Sequence, residues 1–238
     1  MDEIQAHLPE EPNSFIGRER ELSELRQILR RTRALTLCGP GGIGKTRLAL
    51  RVLATVAAEF PDGVWFVELA DLRQPELVVS RVAAAIGVSE EAGRPLLETL
   101  ADALRPRRLL LALDNCEHLV GACAQVVQHL LASSPGLRLL STSREPLRVA
   151  AETIWQVPPL SVRPAGTDPA TANADRGEAI RLFADRAAAS RPGFTVGPDN
   201  TAAVMSICRA LDPCAPPSNG ATTCSRLRSR RCSGGCLC

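Results

Sequence analysis

The chain has 238 residues, of which 45% are hydrophobic and 23% charged, proportions typical of a folded globular protein. Its apolar run Leu109–Leu113 is far shorter than the roughly 18–20 residues that a membrane-spanning helix needs, and the acidic N-terminus lacks the apolar segment of a signal peptide. The net charge is +2, but four arginines among residues 213–238, which contain no acid, account for it, and residues 1–212 carry −2. We therefore expect a cytoplasmic protein without the basic surface that binds nucleic acid.

Hydrophobic periodicity predicts strands that alternate with helices. An amphipathic helix over residues 19–31 precedes a short buried strand, Ala34–Cys38. Such alternation is typical of an α/β fold, and we predict a parallel sheet of about five strands with helices on both faces. The other predicted strands are Val64–Leu69, Leu109–Leu113, Leu137–Ser141 and Thr153–Val157. The other predicted helices are Thr46–Phe60, Pro75–Ile86, Pro95–Leu104, Val120–Leu131, Glu178–Ser190 and Thr201–Leu211.

The turn after the first of these strands matches the phosphate-loop pattern G-x-x-x-x-G-K-[ST] in full. Glycines let successive backbone N–H groups surround a phosphate, the lysine contacts the β- and γ-phosphates, and the threonine hydroxyl ligates Mg²⁺. A chance glycine-rich turn is the alternative. Two observations argue against chance. The motif lies between a predicted strand and a predicted helix, and the single lysine among the 28 basic residues of the chain stands at the lysine position of the motif. The eight residues predicted to bind nucleotide are Gly39, Pro40, Gly41, Gly42, Ile43, Gly44, Lys45 and Thr46.

The predicted strand Leu109–Leu113 is followed by Asp114, an acid at the edge of the sheet where a P-loop protein holds Mg²⁺. We predict that Asp114 and Thr46 form the Mg²⁺ site, with an ordinary helix cap as the alternative for Asp114. Glu117 could polarise the attacking water, but capping or surface solvation explains it nearly as well. Asn115 cannot act as a base.

The next strand ends in the sequence STSR, which closes with Arg144. Ligands collect at this edge of a parallel sheet, so Arg144 could contact the γ-phosphate. The alternative is a surface ion pair with Glu145. The three cysteines of this part of the chain, Cys38, Cys116 and Cys123, are interpreted as small buried residues.

Five segments in this order resemble the NB-ARC-like signal-transduction ATPases called STAND proteins. The likeness is greatest to those fused to LuxR-type or SARP-type transcriptional regulators in actinobacteria, and it covers residues 12–212. The segments are FIGRE (Phe15–Glu19), GPGGIGKTRLAL (Gly39–Leu50), VWFVELADL (Val64–Leu72), LLLALDNCEH (Leu109–His118) and LLSTSREPL (Leu139–Leu147).

The resemblance implies an ATP/ADP switch whose exchange or hydrolysis controls the assembly of a larger regulator. It implies that Phe15, Ile16 and Arg18 lie against the adenine, and that Asp114 is the magnesium residue and Arg144 the sensor arginine. Many relatives have a second acid where this chain has Asn115. That departure indicates slow hydrolysis or a resting state with bound ADP.

The resemblance also suggests a division of the chain. Residues 1–160 form the P-loop nucleotide-binding domain, 161–177 a linker rich in Pro, Gly, Thr and Asp, and 178–212 a partial helical subdomain. Relatives continue with a helix of the Gly-Leu-Pro-Leu-Ala type and a winged-helix domain. Residues 213–238 lack periodicity and acids, and six of the nine cysteines lie within residues 208–238.

We interpret residues 213–238 as a disordered tail that arose from a frameshift near codon 213. The alternative is a genuine cysteine-rich tail that binds metal or has a redox role. Reading the coding DNA across codons 205–238 in all three frames distinguishes the two.

These observations predict an ATP/ADP-binding switch module with slow Mg²⁺-dependent ATPase activity, inside a signal-transduction or transcriptional regulator. The catalytic candidates are Lys45, Glu117 and Arg144. Two alternatives stay open: a nucleotide-binding scaffold without turnover, and a regulator that binds metal through its cysteine-rich tail. Besides nucleotide, the expected partners are a second copy or other domains of a longer regulator, with no membrane association and no direct DNA binding by this chain.

Overall fold

The computed structural model describes residues 6–11, 13–150, 152–162 and 177–212. Within these ranges the strands form one parallel sheet in the order β1-β3-β4-β5-β2-β6. The fold class expected from the sequence is confirmed, and the two-residue β1 adds an edge strand that the sequence pattern did not predict. The strands are β1 (Ala6–His7), β2 (Ala34–Cys38), β3 (Val64–Glu68), β4 (Leu110–Asp114), β5 (Arg138–Ser143) and β6 (Glu152–Gln156).

The helices lie close to their predicted positions, with ends that differ by a few residues. The predicted helix Thr46–Phe60 is an α-helix to Val56 followed by a 3₁₀ turn, Ala57–Glu59, and a second 3₁₀ turn spans Cys116–His118. The α-helices are α1 (Glu19–Arg31), α2 (Lys45–Val56), α3 (Leu77–Ile86), α4 (Leu96–Leu104), α5 (Val120–Ser133), α6 (Glu178–Ser190) and α7 (Pro198–Ala210).

Two hydrophobic cores flank the sheet because successive side chains of a strand point to opposite faces. Along β4, Leu111 and Leu113 pack with residues of α3, α4 and α5, whereas Leu110 and Ala112 pack with residues of α1 and α2. Every residue of β4 is buried, as expected for a strand covered on both faces. The carboxyl ends of the central strands therefore meet at one edge of a rigid sheet.

Helices α6 and α7 form a small core of their own. Ile180, Val196, Val204 and Cys208 are buried there. Helix α7 begins at Pro198, three residues before the predicted start, because proline suits the first turn of a helix and the Asn200 side chain accepts the Gly197 N–H at 2.8 Å. Most of the predicted linker and all of residues 213–238 lie outside the described residues, and the proposed domain boundaries stay predictions.

Over the ranges that the structure covers, none of the helices combines the length and the apolar character that crossing a membrane requires.

Candidate functional site

The loop between β2 and α2 has the backbone conformation of a phosphate cradle. Gly42 and Gly44 adopt φ angles of 79° and 92°, in the left-handed region that residues with a Cβ seldom occupy. Gly44 immediately precedes Lys45, the first residue of α2. The positive end of the α2 dipole and its free N–H groups thus point toward the loop, an arrangement suited to an anion.

Lys45 is held inside this loop. Its side chain is 8% exposed, and its Nζ donates to the carbonyl oxygens of Gly39 at 2.9 Å and Pro40 at 3.1 Å. The ammonium therefore lies at the wall of the cradle, where it can exchange a carbonyl contact for a phosphate oxygen without a large movement of the chain.

Asp114 lies at the centre of a hydroxyl cluster next to the loop. Thr46 and Thr142 both donate their hydroxyls to the same carboxylate oxygen, at 2.8 and 2.5 Å. Asp114 is 4% exposed, and this burial raises its pKa, although the two hydroxyl donors oppose the rise. The cluster thus places two hydroxyl oxygens beside the Asp114 carboxylate. Burial disfavours the negative charge of this carboxylate when no partner compensates it.

Thr142 was not among the residues predicted from the sequence, although it lies in the STSR segment that ends at Arg144. The Thr142 hydroxyl accepts the N–H of Asn115 at 2.9 Å while it donates to Asp114. Asn115 has a φ of 63°, a left-handed conformation that asparagine tolerates better than most residues. Asn115 therefore contributes through its backbone conformation and its N–H group at the end of β4. The absence of a second acid at this position, noted from the sequence, did not indicate that contribution.

Arg144 and Glu117 form an ion pair with 3.1 Å between Nε and Oε1. The alternative partner considered for Arg144 was wrong, since Glu145 instead faces Arg148 at 3.7 Å. The second oxygen of Glu117 is buried and has no hydrogen-bond partner among the described residues. The guanidinium of Arg144 lies 3.4 Å from the point where a Cβ on Gly41 would be, directly beside the loop.

Most of these side chains line a polar cavity of about 320 Å³, which we call the phosphate-loop cavity. Asp114 is not in its lining but bonds to Thr46 and Thr142, which are. The cavity brings together most of the predicted phosphate, magnesium and catalytic residues. The described residues that line it are Gly41, Gly42, Gly44, Lys45, Thr46, Arg47, Asn115, Glu117, Thr142 and Arg144.

A second cavity, about 350 Å³, lies on the other side of the loop between the sheet domain and α6–α7, and we call it the apolar cavity. Gly42 lines both cavities. Arg18 lines the apolar cavity, and its buried guanidinium donates to the carbonyl oxygens of Ile43 at 2.8 Å and Pro158 at 3.0 Å. Hydrophobic side chains make up much of the rest, including Leu160, Leu182 and Phe183.

Phe15 packs in a different part of the structure from the Arg18 side chain. The Phe15 ring packs against the core under α1 and α2, with the guanidinium carbons of Arg47 and Arg51 at 5.9 and 5.2 Å from its centre. Neither Phe15 nor Ile16 is in the lining of the apolar cavity. Of the three residues that the resemblance places against an adenine, Arg18 is the one that lines this cavity, and the adenine contacts stay predictions.

The cysteines inside the fold are buried thiols. Burial raises the pKa of Cys38 to about 11, and a hydrogen bond with Cys123 together with burial raises the pKa of Cys116. Cys208 is also buried. Within the described ranges, histidine, cysteine and acidic residues form no cluster of three or more that could hold a metal ion, and the other tail cysteines lie outside those ranges.

Much of the chain is similar in sequence to known proteins. The model of the AAA domain matches residues 26–144. A Mycobacterium tuberculosis protein named as an HTH-type transcriptional regulator is 44% identical over 188 residues, which are 79% of this chain and 20% of that protein. The regulatory protein AfsR of Streptomyces coelicolor is 34% identical over 157 residues, which are 58% of this chain and 15% of AfsR.

Among solved structures, a STAND protein with a tetratricopeptide repeat sensor from Pyrococcus horikoshii aligns with a TM-score of 0.45 at 17% identity, over 84% of this chain and 28% of that one. The chain spans about a fifth of the length of the mycobacterial relative.

The AAA match covers half of the 238 residues. It begins in α1 and ends at Arg144, so it includes the phosphate loop, Asp114 and the strands that hold them. The chain therefore belongs to the AAA domain family of P-loop ATPases.

Proposed function

We propose that this chain binds ATP and ADP with Mg²⁺, hydrolyses ATP slowly and serves as the nucleotide switch of a transcriptional or signal-transduction regulator. The observation that carries the proposal is the pair of adjoining cavities, one polar and one apolar, that share Gly42 in their walls. A nucleotide has the same division between a charged phosphate chain and an apolar base.

The polar end suits phosphate. Lys45 supplies a compact positive charge, and the loop glycines and the start of α2 supply backbone N–H donors. A cavity of about 320 Å³ leaves room for two or three phosphate groups beside these donors.

The oxygen cluster suits Mg²⁺, which prefers carboxylate, hydroxyl and phosphate oxygens. Thr46 and Asp114 would hold the ion, and their oxygens already lie 2.8 Å apart. When bound, Mg²⁺ supplies positive charge that neutralises the phosphate oxygens. The burial that raises the pKa of Asp114 is consistent with a carboxylate that needs a cation beside it.

The apolar end suits the base. Its volume of about 350 Å³ accommodates a purine ring system, and its hydrophobic lining is typical of a ligand pocket. We assign Arg18 to this end of the nucleotide. Phe15 and Ile16 would act indirectly, because Phe15 supports the N-terminal segment against α2 rather than lining the cavity.

Slow turnover is consistent with the Glu117–Arg144 pair. Glu117 would polarise the attacking water and Arg144 would contact the γ-phosphate, but each side chain is now bound to the other. ATP would have to separate them before either could act. The same pair favours the second candidate function, a scaffold that binds nucleotide without turnover, and single-turnover hydrolysis in Mg²⁺ distinguishes the two.

The regulatory part of the proposal comes from the relatives. The mycobacterial relative is named as a transcriptional regulator and AfsR as a regulatory protein, and this chain corresponds to a minor part of each. We infer that the nucleotide state controls self-association or contacts with other domains of a longer regulator.

The direct test is Lys45→Ala, measured by calorimetric titration with ADP and ATP. Removing the one ammonium of the cradle should weaken binding at least about 100-fold, since a charge-assisted contact to phosphate contributes a few kcal/mol. Arg73→Ala is the matched control, because it removes one positive charge at an exposed position outside both cavities. Unchanged affinity in Lys45→Ala would refute the proposal.

A further inference from the structure

Glu178, the first residue of α6, is bound to two other parts of the chain. One oxygen of its carboxylate accepts the backbone N–H of Arg18 at 2.6 Å. The other oxygen accepts the N–H and the hydroxyl of Ser161, at 3.2 and 3.1 Å. A single carboxylate therefore joins the N-terminal segment, the residues after β6 and the start of α6.

The approach of this carboxylate to the N-terminal segment requires glycine at position 17. Gly17 has a φ of 75°, and a Cβ there would lie 2.6 Å from the nearer oxygen of Glu178. Arg18 follows with a φ of 65°, an unfavourable conformation for a residue with a Cβ. Such a conformation persists only where several contacts fix it, and here Glu178, Ile43 and Pro158 all hold Arg18.

This contact lies at the edge of the apolar cavity. Arg18 lines the cavity from the sheet domain, and Ala179, the neighbour of Glu178, lines it from α6. Glu178 itself lines neither the apolar cavity nor the phosphate-loop cavity. It connects the segments that form the two walls of the proposed base site, and its carboxylate accepts from Arg18 and Ser161 rather than from residues 39–46.

We propose that Glu178 is a positioning residue for the base end of the nucleotide site, because it fixes Arg18 against α6 and so keeps the base between the sheet domain and α6–α7. The inference rests on the proposed function and deepens it. According to this inference α6 is part of the proposed nucleotide site, and a bound base would contact both the sheet domain and α6.

The ionised form of Glu178 is the one that the surrounding donors favour. Burial opposes ionisation, but the hydrogen bonds from the backbones of Arg18 and Ser161 outweigh it and lower the pKa of Glu178. A carboxylate held by several N–H and O–H donors keeps its position more firmly than a neutral acceptor would. Loss of the Glu178 side chain should therefore leave the Arg18 backbone less firmly positioned.

The test compares a ligand that has a base with one that does not. Wild type, Glu178→Ala and Glu178→Gln are titrated calorimetrically with ADP and with inorganic tripolyphosphate, using the full chain. Glu178→Ala should weaken ADP binding about five- to tenfold, the effect of losing one or two hydrogen bonds, and change tripolyphosphate binding less than about twofold. Glu178→Gln should recover part of the ADP affinity, because its amide oxygen can still accept the Arg18 N–H.

Glu98→Ala is the matched control, since Glu98 is an exposed glutamate on α4 and lines neither cavity. Unchanged ADP affinity in Glu178→Ala would overturn the inference, and so would an equal loss for both ligands, because that is the result of a general structural defect. If Glu178→Ala does not fold, the inference is tested with Glu178→Gln and Gly17→Ala instead, again by comparing their affinities for ADP and for tripolyphosphate. Failure of the wild type to bind ADP would instead contradict the proposed function itself.

Discussion

At the scale of single residues, the candidate site depends on a few polar side chains that are buried together. Asp114 receives two hydroxyl donors, and Thr142 both donates to Asp114 and accepts from the Asn115 backbone. Buried polar groups cost free energy unless they are paired. Removing one member of such a cluster therefore leaves another member without its hydrogen-bond partner. Thr142 is therefore a structural support of the proposed magnesium site.

Replacing Thr142 by valine should lower the free energy of unfolding by about 1–3 kcal/mol, because it leaves the Asn115 N–H unpaired and removes a donor from the buried Asp114. Chemical denaturation of the purified chain measures the change. Thr55→Val is the control, since the Thr55 hydroxyl bonds within α2 at an exposed position, and a change of less than about 0.5 kcal/mol is expected. Equal effects in the two variants would contradict the role given to Thr142.

At the scale of elements, the short connections that precede β4 and β5 pack closely against each other. Gly136 lies between α5 and β5 and passes close to the segment between α4 and β4. A Cβ at Gly136 would lie 2.3 Å from the carbonyl oxygen of Arg107, which is a backbone atom and cannot move away cheaply. Two neighbouring connections are thus packed too closely for any side chain.

Gly136→Ala should therefore destabilise the protein by about 1–3 kcal/mol, the usual cost of forcing extra volume into a packed region. Gly121→Ala is the matched comparison, because Gly121 lies in α5 and a Cβ there meets no atom within 4 Å. It should leave stability unchanged or raise it by up to about 1 kcal/mol, since alanine favours helix. Thermal denaturation of both variants tests the pair, and a more stable Gly136→Ala would show that the two connections are not tightly packed.

At the scale of the whole molecule, the proposed nucleotide site lies between the sheet domain and helices α6 and α7. The sheet domain supplies the phosphate loop and Arg18, whereas α6 and α7 complete the apolar cavity. Polar contacts also join the two units: the Ser14 hydroxyl donates to Asp185 at 2.7 Å, and Arg186 donates to the Ser14 carbonyl oxygen at 2.8 Å. A ligand between them should stabilise their association and thus the folded chain.

We therefore expect ADP at about 100 times its dissociation constant to raise the Tm by about 5–10 °C, since binding at that excess adds about 2.7 kcal/mol to the free energy of unfolding. Differential scanning fluorimetry at a series of ADP concentrations measures this shift. Lys45→Ala is the control and should show a shift of at most about 1–2 °C, because binding weakened 100-fold adds only about 0.4 kcal/mol at the same ADP concentration. A Tm that does not depend on ADP in the wild type would argue against a nucleotide bound between the units.

The alternation of strands and helices, the parallel sheet and the phosphate loop could all be predicted from the sequence. These features follow from local patterns, because hydrophobic periodicity and glycine spacing act over a few residues. The loop residues and Asp114 were predicted in the same way, since the chain order places them at the carboxyl ends of strands. Their binding roles stay predictions for the experiments above.

Which distant side chains meet could not be predicted from the sequence and follows from the tertiary structure. Thr142 reaches Asp114 because β4 and β5 are neighbours in the sheet, and Glu178 reaches Arg18 although 160 residues separate them. Phe15 packs against α2, while Arg18, three residues later, lines the apolar cavity. Contacts of this kind depend on how whole elements pack against one another, and no short stretch of sequence contains that information.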